Sequence, residues 1–404
     1  MRDPLEESAP QVTRRAATIA LLTVVALLIV VAIVSSGSRA LLALIVGFVA
    51  LIMIHEAGHF ITAKWAGMKA TEFFLGFGPR LWSFRRGETE YGVKALPLGG
   101  YVRIIGMHNL EEVDPEDEPR TFRSAPFGKR MVVILAGVTM NLILAVFLFY
   151  GAFLDRGVIT DQPTTTVSQV VAKSAAAKAG FRTGDRIVAV DEKRVTGWSS
   201  LKHAIEARGG KSTTFTVVRH GGTTNLQARL RTDNGKGFLG VSPRVRIEDV
   251  NALSAVPESF KALGTITARS AEGLVRVFSP AGISRVSEQV VKAPKKGSAA
   301  DVNRPRSILG IVDFGSRLTN VGDILYLLAI VNVAVALFNI IPLLPLDGGH
   351  AVVVLYEWVA TKVKRRRVSV DYRKLVPVSA VAFAFLMVFA VSIMFQDVRD
   401  IARR

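Results

Sequence analysis

The sequence predicts a polytopic α-helical membrane protein of about five transmembrane helices, with a membrane-associated β-hairpin region and an inserted small α+β domain outside the bilayer. Three observations predict it. The chain has 404 residues, 50% of them hydrophobic, and a mean hydropathy of +0.35, too apolar for a soluble protein of this size. Uncharged runs close to span length recur at 16–34, from 40, and at 131–154, 324–346 and 375–395. Between the third and fourth of these, residues 160–245 are polar and mixed in charge and carry no such run. The net charge of +18 and pI near 10.4 raise the question of nucleic acid. The basic residues instead flank the apolar spans, as positive-inside anchoring to anionic lipid requires, and no DNA or RNA recognition motif is present. The absence of cysteine excludes disulfides, thiolate ligands and cysteine nucleophiles, so any metal must be held by nitrogen and oxygen.

Taken in order, Arg14 and Arg15 precede the first run, which reads as a helix entering from the cytoplasm. A cleaved signal peptide is the competing reading, because residues 35–39 are small and polar. The second span starts at Ala40 and ends near Lys64 and Lys69 on the inner side. Residues 70–106 alternate and are punctuated by glycine, which predicts hairpin-like strands around a Gly87-Glu88-Thr89 turn. The segment Glu90 to Leu96 is the expected free edge. The acidic run 111–119 reads as a solvated loop, and 131–154 as the third span, with Gly137 and Asn141 spaced as an ordinary small-residue packing pair would be. In the polar insert, strands are expected at 167–171, 187–190, 215–218 and 226–230, around a helix at 201–208. An amphipathic helix is expected at 253–277 and a basic loop at 293–306. The fourth span, 324–346, carries Asn339, Pro342, Pro345 and Asp347 to membrane depth, and the basic run 362–367 marks the cytoplasm before the last span.

The chemistry concentrates at His55-Glu56-Ala57-Gly58-His59, an HExxH motif at the end of the second span. On a helix, residues i and i+4 share a face, so both imidazoles can address one zinc while Glu56 reaches its water. Ionisable side chains at membrane depth are costly and functional by default. A catalytic zinc takes three protein ligands and leaves one position for water, so one more donor is needed. Asp347, read as ending the fourth span before Gly348-Gly349, is the natural candidate, and His350 is the rival.

These residues resemble the site-2 proteases, zinc metalloproteases that cut within the membrane, from about Ala40 to Phe395. The likeness rests on His55-Glu56-x-x-His59, Gly76-Phe77-Gly78, Thr89-Glu90-Tyr91 and Pro97-Leu98-Gly99-Gly100-Tyr101. Further matches are Phe127-Gly128-Lys129-Arg130 before Gly137 and Asn141, and Asn339-x-x-Pro342 leading to Leu346-Asp347-Gly348-Gly349. Residues 179–187 resemble part of a PDZ-like domain, which the insert would form. Val138 and Leu344 depart from the family pattern, and the run 16–34 is extra to it. The resemblance implies His55, His59 and Asp347 as zinc ligands, Glu56 as general base, and Asn141, Asn339, Pro342, Tyr91, Gly99 and Gly100 as substrate-binding positions.

The expected organisation follows: 1–38, cytoplasmic tail and extra helix; 39–158, first part of the catalytic core; 159–246, PDZ-like extracytoplasmic domain; 247–320, amphipathic linker; 321–404, second part of the core. The expected function is intramembrane zinc endopeptidase of a bacterial plasma membrane. Its expected targets are single-span proteins, such as anti-sigma factors, after an upstream site-1-type protease has trimmed them. The alternative is a non-catalytic PDZ-bearing scaffold with a structural metal, and a transporter is a third reading that leaves the insert unexplained.

Overall fold

The computed structural model describes residues 36–107, 109–159, 163–233, 235–244, 247–291, 307–315 and 318–402. The expected first span and the basic loop at 293–306 lie outside them. Among the described residues, four helices are long and apolar enough to cross a membrane, within Arg39–Trp65, Phe127–Arg156, Val321–Asn339 and Tyr372–Arg399. The described residues divide into two compact units, the first made of those within 36–155, 254–276 and 310–391, and the second of those within 156–253, 277–291, 307–309 and 392–402.

In the first unit, helix α1 (Ser36–Trp65) runs uninterrupted through the HExxH motif. It meets α2 (Phe127–Arg156) so closely that a Cβ on Gly58 would lie 2.7 Å from the Ala136 carbonyl oxygen. In sequence the hairpin lies between these helices, β1 (Ala70–Arg86) and β2 (Thr89–Ile104), turning at Gly87-Glu88 as expected, and it packs on α1. Glu88 fastens this turn: Arg120 and Lys64 hold its carboxyl down to about 2, against the usual carboxylate range.

The hairpin is folded back on itself. Phe73 pairs with Val102 on one side and Tyr91 on the other, while Phe84 also pairs with Tyr91. Residues 90–93 are therefore flanked on both sides, and the outer segments are those around 80–86 and 100–104. Of the expected free edge, Glu90 to Leu96, residues 90–93 are thus interior, and Lys94 and Leu96 each pair on one side only among the described strands. Pairing 73–75 with 91–93 turns an apparent edge into the interior of the ribbon.

The fourth span also differs from its expected limits. Helix α8 (Val321–Asn339) stops at Asn339, because the prolines at 342 and 345 lack the N–H a helix needs. Hydropathy stays high through 346, which is why the run reads as continuous. A new helix, α9 (Asp347–Lys364), then begins with Asp347 as its first residue. Asp347 therefore opens a helix rather than closing one. The last span is α10 (Tyr372–Ala402). The expected amphipathic helix is α5 (Ala252–Phe278), with Leu253, Phe260 and Val275 exposed on it.

The second unit contains a four-stranded antiparallel sheet. Strands β5 (Arg186–Val190), β6 (Lys193–Arg194), β7 (Ser212–Arg219) and β8 (Gly222–Arg229) lie in the order β6-β5-β7-β8. Helix α4 (Trp198–Glu206) buries Leu201 and Ile205 in the same core as Ile187, Phe215 and Val217. The remaining elements complete the numbering: α3 (Ala175–Lys178), α6 (Pro280–Val291), α7 (Ile308–Gly315), and the short strands β3 (Val158–Ile159), β4 (Val167–Val170), β9 (Arg231–Asp233), β10 (Lys236–Phe238), β11 (Val241–Pro243) and β12 (Ile247–Glu248). Strand β11 pairs with β4, joining the two ends of the insert.

Candidate metal centre

One turn of α1 separates His55 from His59, so both imidazoles leave the same side of the helix, and both are buried. Their Nε2 atoms are 3.2 Å apart. Asp347 arrives from the start of α9 with Oδ2 at 3.2 Å from His55 Nε2 and 3.3 Å from His59 Nε2. Zinc bonds of about 2.0–2.1 Å place neighbouring tetrahedral ligands about 3.3–3.4 Å apart, so the triangle of these atoms has the size of one tetrahedral face. The donor set fits zinc.

The protonation pattern fits as well. His59 Nδ1 lies 2.7 Å from the Val133 carbonyl, which can only accept, so Nδ1 carries the hydrogen and the Nε2 lone pair faces His55 and Asp347. His350, the rival ligand, is not in this group. Its ring lies instead 6.3 Å from that of Tyr372. Three residues after Asp347 on α9, it falls almost a full turn further along.

Glycines make the convergence possible. A Cβ on Gly137 would lie 2.4 Å from His59 Nε2 and 2.7 Å from His55 Nε2, so α2 can pass the histidines only where it has no side chain. Packing alone would ask for any small residue at 137, whereas the histidines demand glycine. Behind Asp347, Cβ atoms on Gly348 and Gly349 would meet the backbone of Ile340 at 2.0 Å and of Leu344 at 2.4 Å. The non-helical 340–346 segment folds onto the start of α9 and fixes the aspartate from behind.

Glu56, next to His55, faces the hairpin. A Cβ on Gly100 would sit 3.2 Å from Glu56 Cγ. The outer segment of the ribbon therefore passes directly over this carboxylate.

The other sequence-derived positions divide. The Asn339 amide lies 3.4 Å from His55 Nε2, at the mouth of the site, and Pro342 is exposed in the break after it. Asn141 is fully buried, and neither its amide nitrogen nor its amide oxygen has a protein partner. Tyr91 stacks on Phe84 and touches Phe60 edge-on, tying the ribbon to α1, while Gly99 packs against Phe77. Sequence reasoning missed Asn332, fully buried in α8, whose Nδ2 donates to the Asn141 carbonyl at 2.6 Å. The available signal was an amide seven residues before Asn339, on the same helical face of an apolar span.

Two imidazoles and a carboxylate on one face, a second carboxylate beside them and a span-length apolar helix carrying the motif define a metal-dependent hydrolase built into a membrane protein. The model of the family "Peptidase family M50" matches residues 43–389. Zinc metalloprotease Rip1 of Mycobacterium tuberculosis is 31% identical over 376 residues, covering 83% of this chain and 91% of the relative. Rip1 of Mycolicibacterium smegmatis is 30% identical over 374 residues, covering 82% and 90%. The chain belongs to peptidase family M50, the site-2 proteases, and is a zinc metalloprotease.

Proposed function

We propose that this protein is an intramembrane endopeptidase that cuts transmembrane segments of single-span membrane proteins. In this reading His55, His59 and Asp347 hold the zinc and Glu56 is the general base. The observation that carries it is the His55–His59–Asp347 triangle with Glu56 beside it, on a helix long and apolar enough to span a membrane. Bound there, zinc would polarise the scissile carbonyl and lower the pKa of its water to about 7. Glu56 would take the proton of the attacking water and deliver it to the leaving amine. The scaffold alternative needs the metal but not Glu56, so the presence of that carboxylate supports hydrolysis.

A peptide bond in a transmembrane helix is shielded by its own i to i−4 hydrogen bonds and must be unwound first. The unwound strand then needs new backbone partners. The outer segment containing Gly99, Gly100 and Tyr101 would supply them by strand addition, since it runs over Glu56 and its residues 100–103 are paired on one side only among the described strands. Asn339, Pro342 and Asn141 would hold the loosened chain nearby, and Tyr91 would brace the ribbon against α1.

The second unit's sheet and helix would form the PDZ-like domain on the outer side, with the metal near the cytoplasmic face. It would admit trimmed substrates and exclude intact ones, which places a site-1-type protease upstream and makes anti-sigma factors suitable targets. The test is cleavage of a single-span reporter in liposomes. A cut mapped by mass spectrometry within the apolar segment, lost on chelation and restored by zinc, supports the reading. Cleavage confined to extramembrane loops would refute it. Replacing 160–245 by a short linker should then let untrimmed reporter be cut, and continued refusal by a zinc-loaded core would refute the gate.

A further inference from the structure

The ligand Asp347 stands at the first residue of α9, and its position depends on what holds that helix. The 340–346 segment backs its start, while the far half carries a charged anchor that the proposed chemistry does not use. Glu357 Oε2 accepts from Arg130 Nη1 at 2.8 Å, and both side chains are largely buried, at 13% and 14% exposure. Glu357 Oε1 accepts in addition from the Val370 N–H at 2.9 Å, so both carboxylate oxygens are engaged. The Val370 carbonyl accepts from Asn109 Nδ2 at 3.0 Å, which ties the strap after α9 to the loop after the hairpin. Beside the pair, Trp358 stacks on Phe127 with ring centroids 4.8 Å apart, and Val354 shares a core with Val133 and Ile134.

The position of Arg130 along α2 gives the pair its significance. Arg130, Val133 and Gly137 are spaced at i, i+3 and i+7, which places them on one helical face. That face supplies the carbonyl that orients His59 and the glycine that admits both histidines. Asp347 lies ten residues before Glu357, about 15 Å along α9. An apolar contact tolerates sliding and rotation. A buried ion pair does not, because displacement leaves an uncompensated charge.

We infer that Arg130 and Glu357 are positioning residues for the metal centre: their buried ion pair fixes the depth and rotation of α9 so that Asp347 meets the two histidines. The inference rests on Asp347 being a zinc ligand, as proposed above. Neither residue touches the metal or the substrate, and both act through Asp347.

The test uses the purified full chain in detergent, with zinc affinity measured by chelator competition. The visible spectrum of the cobalt-substituted protein reports ligand geometry, and the thermal midpoint of the metal-free form reports fold stability. Glu357→Gln and Arg130→Met are each expected to weaken zinc binding by about 10-fold or more and to alter the cobalt spectrum, the scale on which supporting groups act on metal sites. The exchanged pair Arg130→Glu/Glu357→Arg is expected to recover much of the affinity and the wild-type spectrum. Should the single neutral variants fail to fold, Glu357→Asp and Arg130→Lys keep the charges while shifting the geometry, and a changed cobalt spectrum remains the expected result. Wild-type zinc affinity and spectrum in folded variants with a lowered metal-free midpoint would overturn the inference, leaving a purely structural pair. An exchanged pair no better than the singles would overturn it as well. Asp347→Ala separates the two layers: if it leaves zinc affinity intact, the ligand assignment fails and this inference with it. If Asp347→Ala empties the site while the pair variants bind normally, only this inference fails.

Discussion

Asp185 in the insert and the polar side chains around the metal centre show two opposite treatments of a buried polar group. In the insert, Asp185 is 1% exposed yet fully engaged, accepting from Arg219 through both oxygens and from the Arg182 N–H. Burial pushes its carboxyl up, but these bonds outweigh it and leave the pKa below the usual value. Around the metal centre, His55 Nδ1, both amide atoms of Asn141 and the amide oxygen of Asn332 are buried without protein partners. Each such group costs about 1–3 kcal/mol, and more where water is excluded. The insert has open atoms of its own, Thr213 Oγ1 and Asp233 Oδ2, but these are isolated, whereas the open atoms of Asn141 and Asn332 lie on two residues joined by a hydrogen bond. The glycines differ in what crowds them: a Cβ on Gly237 in the insert would meet the Ile205 carbonyl oxygen at 2.0 Å, whereas one on Gly137 would meet two histidines.

The sharpest break in this comparison is at Asp347. Asp347→Ala should reduce bound zinc from one per chain to near none, while His350→Ala should leave it unchanged, as read by metal analysis of purified protein. The opposite pattern would move the third ligand to His350 and dissolve the triangle. Next in size, Gly137→Ala places a methyl group 2.4 Å from His59 Nε2, so zinc affinity should fall by about 10- to 100-fold while the protein still inserts and folds. Unchanged zinc affinity would show that Gly137 serves helix packing alone.

The smallest effect belongs to the insert. Asp185→Asn should cost about 1–2 kcal/mol in its thermal unfolding and leave zinc content untouched. Because the folded-state pKa of Asp185 is depressed, its contribution is present above about pH 4 and is lost as pH falls below that. The variant and the wild type should therefore converge in stability in acid. A stability difference that persisted below pH 2 would mean that packing, not charge, carries the contribution.

What was legible in the sequence follows the range of the interactions. His55, Glu56 and His59 could be read because their geometry is set within one turn of one helix, and the insert's main strands could be read from local alternation. Asp347 was legible as a donor but not as a helix start, since an apolar run conceals a backbone break that only Pro342 and Pro345 betray. The folded ribbon was not legible, because pairing Phe73 with both Val102 and Tyr91 is a non-local choice that alternation cannot express. Nor was the need for glycine at 137, which exists only once α2 has docked on α1. Arg130 and Glu357 are 227 positions apart, and each alone reads as an interfacial charge.

The central claim is that the buried triangle with Glu56 beside it performs hydrolysis, and Glu56→Gln tests it most directly, because the amide keeps the shape of the side chain but cannot accept the proton. In liposomes, cleavage of a single-span reporter by this variant should fall by about 10²–10⁴-fold or below detection while zinc content and reporter binding stay at wild-type levels. Cleavage near the wild-type rate by zinc-loaded Glu56→Gln would contradict the account, and would assign the base to another residue or the metal to structure.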